Sequence, residues 1–203
     1  MNLTEENIKG IFKIAEKYEA KLRMNLYRPT EGIDEISRKF IPDYQAIIDI
    51  LHYISKHYEI LALNDSLFSA LLTERNFIDP SGIDSLRVLA DGDITPSTYL
   101  IDKENIVGNI KNHNALENIE KNITEIVNNI IPLECKDCIL KERCRGGVID
   151  RRYLWYKTLE KKDPYCQGPY YDENILPEKI VLSKKKFESV HDGYLPTMFF
   201  INK

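Results

Sequence analysis

All four cysteines of the chain, Cys135, Cys138, Cys144 and Cys166, fall within 32 residues, spaced C-x2-C-x5-C-x21-C. The pair Cys135 and Cys138 can bring two thiolates to one centre from a single tight turn. Cys144 returns after five intervening residues, and Cys166 closes the shell from a separate segment. Gly146 and Gly147, just after the third cysteine, let backbone pass close to a bulky group. Two kinds of centre fit four thiolates. Zinc takes a closed, tetrahedral all-cysteine shell. A [4Fe–4S] cluster takes four cysteines, one per iron. Zinc ribbons usually pair two C-x2-C knuckles, whereas only one stands here.

The elements that must hold these ligands follow from periodicity. Ile8, Ile11, Phe12, Ala15 and Tyr18 form a helical stripe, with Thr4 as its N-cap. Leu22, Met24 and Leu26 alternate with Arg23, Asn25 and Tyr27, a strand stopped by Pro29. A second helix starts near Pro42, and residues 59–63 make another strand. This helix–strand alternation predicts an α/β arrangement. Residues 85–90 and 93–100 then read as a β-hairpin, with Asp91-Gly92 as a type I′ turn. A helix is expected over 115–130, ended before Pro132. The boundary between the two parts falls within 64–84, where Asp79-Pro80-Ser81-Gly82 is strong turn chemistry.

Bulk properties narrow the function classes. The formal net charge of −4 gives no electrostatic case for nucleic acid or membrane partners. No apolar run approaches the roughly 20 residues of a membrane span. The first residues have neither a basic region nor an apolar one, as a secretory signal would. A cytoplasmic location is expected, where clustered cysteines bind metal more often than they pair.

The cysteine segment resembles the C-terminal SPASM domain of radical S-adenosylmethionine peptide maturases. The stretch from Leu86 to Ser97, centred on Asp91-Gly92, looks like that family's hairpin. Val107-Gly108-Asn109-Ile110 matches its Gly-Asn-Ile turn, and Asp163-Pro164-Tyr165-Cys166 its closing Asp-Pro-x-Cys. The family pattern carries seven cysteines for two auxiliary [4Fe–4S] clusters. Here Ser97 and Val148 stand at two of those positions, and residues 76–82 contain no cysteine where the third is due. The resemblance implies that the first auxiliary site is lost and that Cys135, Cys138, Cys144 and Cys166 keep the second.

Residues 2–30 look like the last helix and strand of a radical SAM partial barrel. The implied fold is thus α/β: the C-terminal fragment of such a (β/α) barrel with its bridging helix (1–63), a small α+β SPASM iron–sulfur domain with a β-hairpin (64–175), and a C-terminal extension (176–203). The C-x3-C-x2-C loop that cleaves S-adenosylmethionine is missing, since no cysteine precedes Cys135. The resemblance therefore implies an auxiliary cluster for electron relay or substrate positioning in peptide or protein modification. It implies no S-adenosylmethionine cleavage by this chain alone and no catalytic residue within it. If the missing barrel is supplied, Arg23, Asn25 and Arg28 would face S-adenosylmethionine and substrate. The alternatives are a zinc- or cluster-stabilised peptide-binding module, or an inactive remnant.

A barrel strand at 22–26 needs parallel neighbours. Residues 1–63 are therefore expected to be the less stable part and to associate with an N-terminal radical SAM half or with themselves. Arg143, Arg145, Arg151 and Arg152 flank the cluster, and Tyr153, Trp155, Tyr156 and Tyr165 are expected to shield it from water. The four histidines have no ligand spacing, Lys184–Lys186 reads as a solvated turn, and residues 191–197 suggest no chemistry.

Overall fold

A computed structural model describes residues 4–30, 32–125, 131–185 and 197–203. The chain is a mixed α/β fold with two small antiparallel sheets. Helix α1 (Glu5–Lys17) begins where expected, with Thr4 accepting the Asn7 N–H at 3.3 Å. Its buried face is Ile8, Phe12 and Ala15. Strand β1 (Leu22–Asn25) and the short helix α2 (Glu35–Arg38) lead to α3 (Tyr44–His57). The cap of α3 is Asp43, whose carboxylate takes the Ala46 N–H at 2.8 Å. Pro42 thus sits one residue before the cap, where its missing N–H costs nothing. Strand β2 (Tyr58–Leu63) follows at once, and α4 (Ser66–Leu72) starts on the Asp65 cap.

The first sheet corrects the parallel barrel strand expected at 22–26. Strand β6 (Thr197–Asn202), in the C-terminal extension, lies between β1 and β2 and runs antiparallel to both. Leu22 pairs with Phe200 and Met24 with Met198 on one side; Ile60 and Leu63 pair with the same two residues on the other. Both faces of β6 are buried. Phe200 and Met198 join the main core with Phe12, Leu51 and Phe68, while Phe199 packs on Leu61 and Ala62. The neighbour that β1 needs thus comes from its own chain, and among the described residues its outer edge has no strand partner.

The second sheet is built from β3 (Arg87–Val88), β4 (Asp93–Thr95) and β5 (Gly108–Asn109). The hairpin at 85–100 exists, but its turn is not the expected type I′. That turn needs positive φ at both central residues, and of Asp91-Gly92 only Gly92 has it, at +95°. The loop is longer: Gly92 N–H donates to the Leu89 carbonyl, and Leu89 N–H to the Asp93 carbonyl. A side chain at Gly92 would also meet Asn109 and Ile110 at 3.1 Å, so β5 fixes glycine there. Helix α5 (Ala115–Ile123) covers the first part of the helix expected over 115–130, of which 126–130 lies outside the described residues. Lys186 and residues 191–196 lie outside them too. Lys185 is less free than a solvated turn implies, since it pairs with Glu59 at 2.6 Å. No helix among the described residues is long and apolar enough to cross a membrane.

Because β6 is central, large-to-small changes there should be costly. Phe200→Ala is expected to destabilise the chain by about 3–5 kcal/mol, read as a lower denaturant midpoint. A loss under about 1 kcal/mol would contradict a buried central strand.

Candidate metal centre

The first two cysteines sit on consecutive tight turns. Pro132 opens a short 3₁₀ turn, Leu133–Cys135, whose Cys135 N–H closes on the Pro132 carbonyl at 2.8 Å. Cys138 N–H then closes on the Cys135 carbonyl at 3.1 Å. Helix α6 (Lys141–Cys144) carries the third cysteine at its end. Arg145 adopts the left-handed conformation, followed by Gly146 and Gly147 at φ +86° and +92°. The glycines are required on two counts. A Cβ on Gly146 would stand 2.5 Å from Pro132, and one on Gly147 would stand 2.3 Å from Asp163. Cys166 arrives through Asp163, whose carbonyl accepts the Cys166 N–H at 2.9 Å and whose own N–H donates to Gly146 at 2.8 Å. The segment after it returns to the first turn, with Ile139 N–H donating to the Tyr170 carbonyl at 2.9 Å.

These turns bring all four cysteines to one cavity of about 320 Å³, including its part open to solvent. Leu67, Leu140 and Tyr170 form its apolar wall, and Tyr170 N–H points at Cys138 Sγ at 3.4 Å. The four cysteines therefore line one cavity. They do not meet at a point: among the described residues no three His, Cys, Asp or Glu side chains form a group that could hold a single metal ion. No family model matches the chain, and no curated protein and no solved structure matches it. What bears on function is the chemistry of its own side chains.

Burial dominates that chemistry. It pushes the Cys135 and Cys166 thiols up from an ordinary 9.0 to about 11, and it holds Cys144 well above its usual range. Negative neighbours add to the effect at Cys135, through Cys138 and Glu134, and Asp163 adds to it at Cys144. The metal-free fold thus prefers neutral thiols, and a metal must displace their protons. The consequence for stability has a definite sign. With folded values above the unfolded one, the stabilising contribution is complete below about pH 9 and is lost as pH rises through about 11. The metal-free chain should therefore show a falling denaturant midpoint across that window. A loaded chain, already deprotonated at sulfur, should not show this fall. Equal pH dependence of the two forms would contradict thiol ligation.

Behind the cysteines lies a buried ionic hub with no clear trace in the sequence. Helix α7 (Ile149–Tyr156) places Arg151 between two carboxylates. Arg151 donates to Asp65 at 2.8 Å and to Asp163 at 2.6 Å, and all three side chains are at most 3% exposed. Burial works against the Arg151 charge, but Asp163 and Asp65 outweigh it and hold the guanidinium protonated. Asp163 also accepts the N–H groups of Val148 and Tyr165, at 3.1 and 3.0 Å. One carboxylate thus fixes the loop after Cys144 and the approach to Cys166.

The other expected residues divide. Arg23 and Asn25 stand exposed on β1 and bond to each other at 3.2 Å. Arg28 turns away from them and pairs with buried Asp150 at 2.9 Å, beneath the Tyr99 ring. Ser97 donates to the other oxygen of the same Asp150. None of the three lines the cysteine cavity. The aromatic shield is also different from that expected. Tyr165 shares the core that holds Cys138 and Cys144, and Trp155 packs edge-on against it. Tyr153 belongs to a separate cluster with Leu100, Ile149 and Leu159, its hydroxyl bonded to Asp102. Leu67, Leu140 and Tyr170 take the shielding place.

Proposed function

We propose that this chain is the iron–sulfur region of a radical SAM enzyme that modifies a peptide or a protein, a SPASM-type unit whose N-terminal helix and strand close on an antiparallel sheet of its own. One observation carries the reading: Cys135, Cys138, Cys144 and Cys166, from separate turns and segments, line one apolar cavity. The single C-x2-C pair, where zinc ribbons usually carry two, favours a [4Fe–4S] cluster over zinc. Four thiolates on a cluster each bind a different iron, whereas one zinc ion draws all its ligands to a single point. Bound there, the cluster would supply one-electron relay, or a rigid surface that positions the peptide. The chain's own part is to deliver four thiolates, to exclude water with Leu67, Leu140 and Tyr170, and to hold the ligand loops on Asp163.

The lost first site is consistent with the local packing. Ser97 is engaged with Asp150, and Val148 is a buried apolar residue. Neither position is free for a second cluster. The reading places the protein in the cytoplasm, where the thiols stay reduced until loaded. It assigns S-adenosylmethionine cleavage to a separate N-terminal radical SAM half. The open edge of β1 and the exposed Ile11, Ile14 and Tyr18 of α1 support such a partner or self-association. With that half present, Arg23 and Asn25 are the β1 side chains still available to the cofactor; Arg28 would first have to leave Asp150.

The test is direct. The chain, loaded anaerobically with iron and sulfide, is incubated with S-adenosylmethionine and dithionite. No 5′-deoxyadenosine is expected, and its formation by the chain alone would overturn the assignment of cleavage to a partner.

A further inference from the structure

We infer that the edge of β1 and the apolar flank of α1 form one docking surface, and that its occupant is a second copy of this chain, joined by antiparallel β1–β1 pairing about a two-fold axis; nothing in this depends on the iron–sulfur reading. The first sheet treats its two edges differently. Beyond β2, Ile60 bridges to Leu182, the Ser183 N–H donates to the Ile60 carbonyl at 2.7 Å, and Lys185 pairs with Glu59. That edge is covered by the chain itself. Beyond β1, no strand among the described residues takes up the outward N–H and C=O groups. Residues 22–25 hold no proline, and the charged side chain among them, Arg23, is bonded to Asn25. Such an edge is a template for another strand.

Helix α1 extends this surface. It lies on the core face of the sheet, with the Phe12 ring 6.3 Å from that of Phe200. Its polar flank turns toward α3 and β2. Lys9 stands over the Tyr53 ring, and Lys9, Lys13 and Glu16 line a groove with His57, Tyr58 and Asn202. The helical period puts Ile11, Ile14 and Tyr18 on the opposite flank. Because β1 and β2 lie on opposite sides of β6, that flank faces the β1 edge. The three residues are 43%, 62% and 68% exposed, and Leu22 and Met24 beneath them are only partly buried. An unpaired strand under an apolar helix flank is one half of a two-layer seam.

The register shows why a copy of the same surface completes it. With a two-fold axis perpendicular to the sheet, opposed residues must share a face. An axis through Met24 sets Leu22 opposite Leu26 of the second copy, and Arg23 opposite Asn25 of the second copy. Arg23 and Asn25 already bond within one strand at 3.2 Å, so the same donor and acceptor match across the pair. An axis through Arg23 would oppose two like charges instead. The Met24 axis also lays the two α1 helices side by side over the new strand pair, each apolar flank against its own copy. A patch complementary to itself is what a two-fold interface requires. The joined sheet stays antiparallel throughout, whereas the parallel strands of an N-terminal barrel half would make it mixed.

The experiment is analytical ultracentrifugation of the full chain under anaerobic reducing conditions, with hydrogen exchange at residues 22–26 followed in parallel. The parent should sediment as a dimer that dissociates on dilution, and these amides should be more protected in the dimer than in the dilute monomer. Ile14→Glu should weaken association at least ~10-fold, because the two-fold axis puts each new charge into the seam twice. Its thermal midpoint should match that of the dilute parent, since Ile14 lies outside the core. If Ile14→Glu does not fold, Tyr18→Lys on the same flank carries the same expectation. A parent that stays monomeric overturns the inference and leaves the edge to an N-terminal half. A dimer that the flank variant does not weaken, or whose amides at 22–26 gain no protection, overturns it as well, because its interface then lies elsewhere.

Discussion

Cys144→Ala is expected to lose its cluster, its iron and sulfide falling at least ~10-fold, since even outer-shell changes cost 10–100-fold in metal affinity. Cys144 is the ligand with the least freedom to be replaced. It ends α6, its N–H is bound to the Leu140 carbonyl at 2.8 Å, and the next three residues are committed to left-handed turns. Among the described residues the chain has no other cysteine, and every cysteine already lines the cavity. No spare thiol can therefore swing in. Cys138→Ala should behave alike, because the C-x2-C turn offers its second sulfur to the same space. In the metal-free form both changes should be mild, since each removes one sulfur from a partly open cavity. The loss should appear only in the loaded form, because ligation contributes folding free energy directly. Variants that keep full metal content and parental stability would show that the ligands are wrongly assigned.

Asp163→Ala should act on both forms. Removing it leaves Arg151 with Asp65 alone and frees the N–H groups of Val148 and Tyr165 inside the core. Arg151 keeps Asp65 as its countercharge, so the cost comes from the buried donors left unsatisfied, about 1–3 kcal/mol each. Asp163 also fills the space against Gly147, so its removal loosens the loop after Cys144. The expected outcome is a lower denaturant midpoint without metal and a reduced cluster yield with it. Asp163→Asn, which keeps the shape but not the charge, should fall between the two. A variant with parental metal-free stability would remove the hub from the account. Compared with Cys144→Ala, this change separates a residue that positions ligands from one that is a ligand.

Much of the site was legible because its signals are local. A C-x2-C turn and a Gly-Gly pair after the third cysteine each describe a few consecutive residues, and the four cysteines of the window line one cavity. The Thr4 cap, α3 and β2 were legible for the same reason. Long-range choices were not. Nothing near Leu22 says that its partner is Phe200, and alternation at 22–26 fits a parallel or an antiparallel neighbour equally. The run Met198-Phe199-Phe200-Ile201 did carry a signal, since a continuous apolar stretch suits a strand buried on both faces.

Adjacent arginines are equivalent as letters. The phase of α7 alone turns Arg151 toward two carboxylates and Arg152 toward the Gly146 loop. At Asp91-Gly92 a local preference was overridden, because β5 packs against Gly92 and the loop lengthens to meet it. Tyr153 and Tyr165 look alike in sequence, yet one faces a cluster around Leu100 and the other the cysteine core.

The central claim is that Cys135, Cys138, Cys144 and Cys166 hold one iron–sulfur cluster. Anaerobic analysis of iron, acid-labile sulfide and zinc in the purified chain, with its absorption spectrum, tests it most directly. About four irons and four sulfides per chain, with a brown colour, is the predicted result. One zinc per chain and no sulfide would contradict it and leave a structural zinc module in its place.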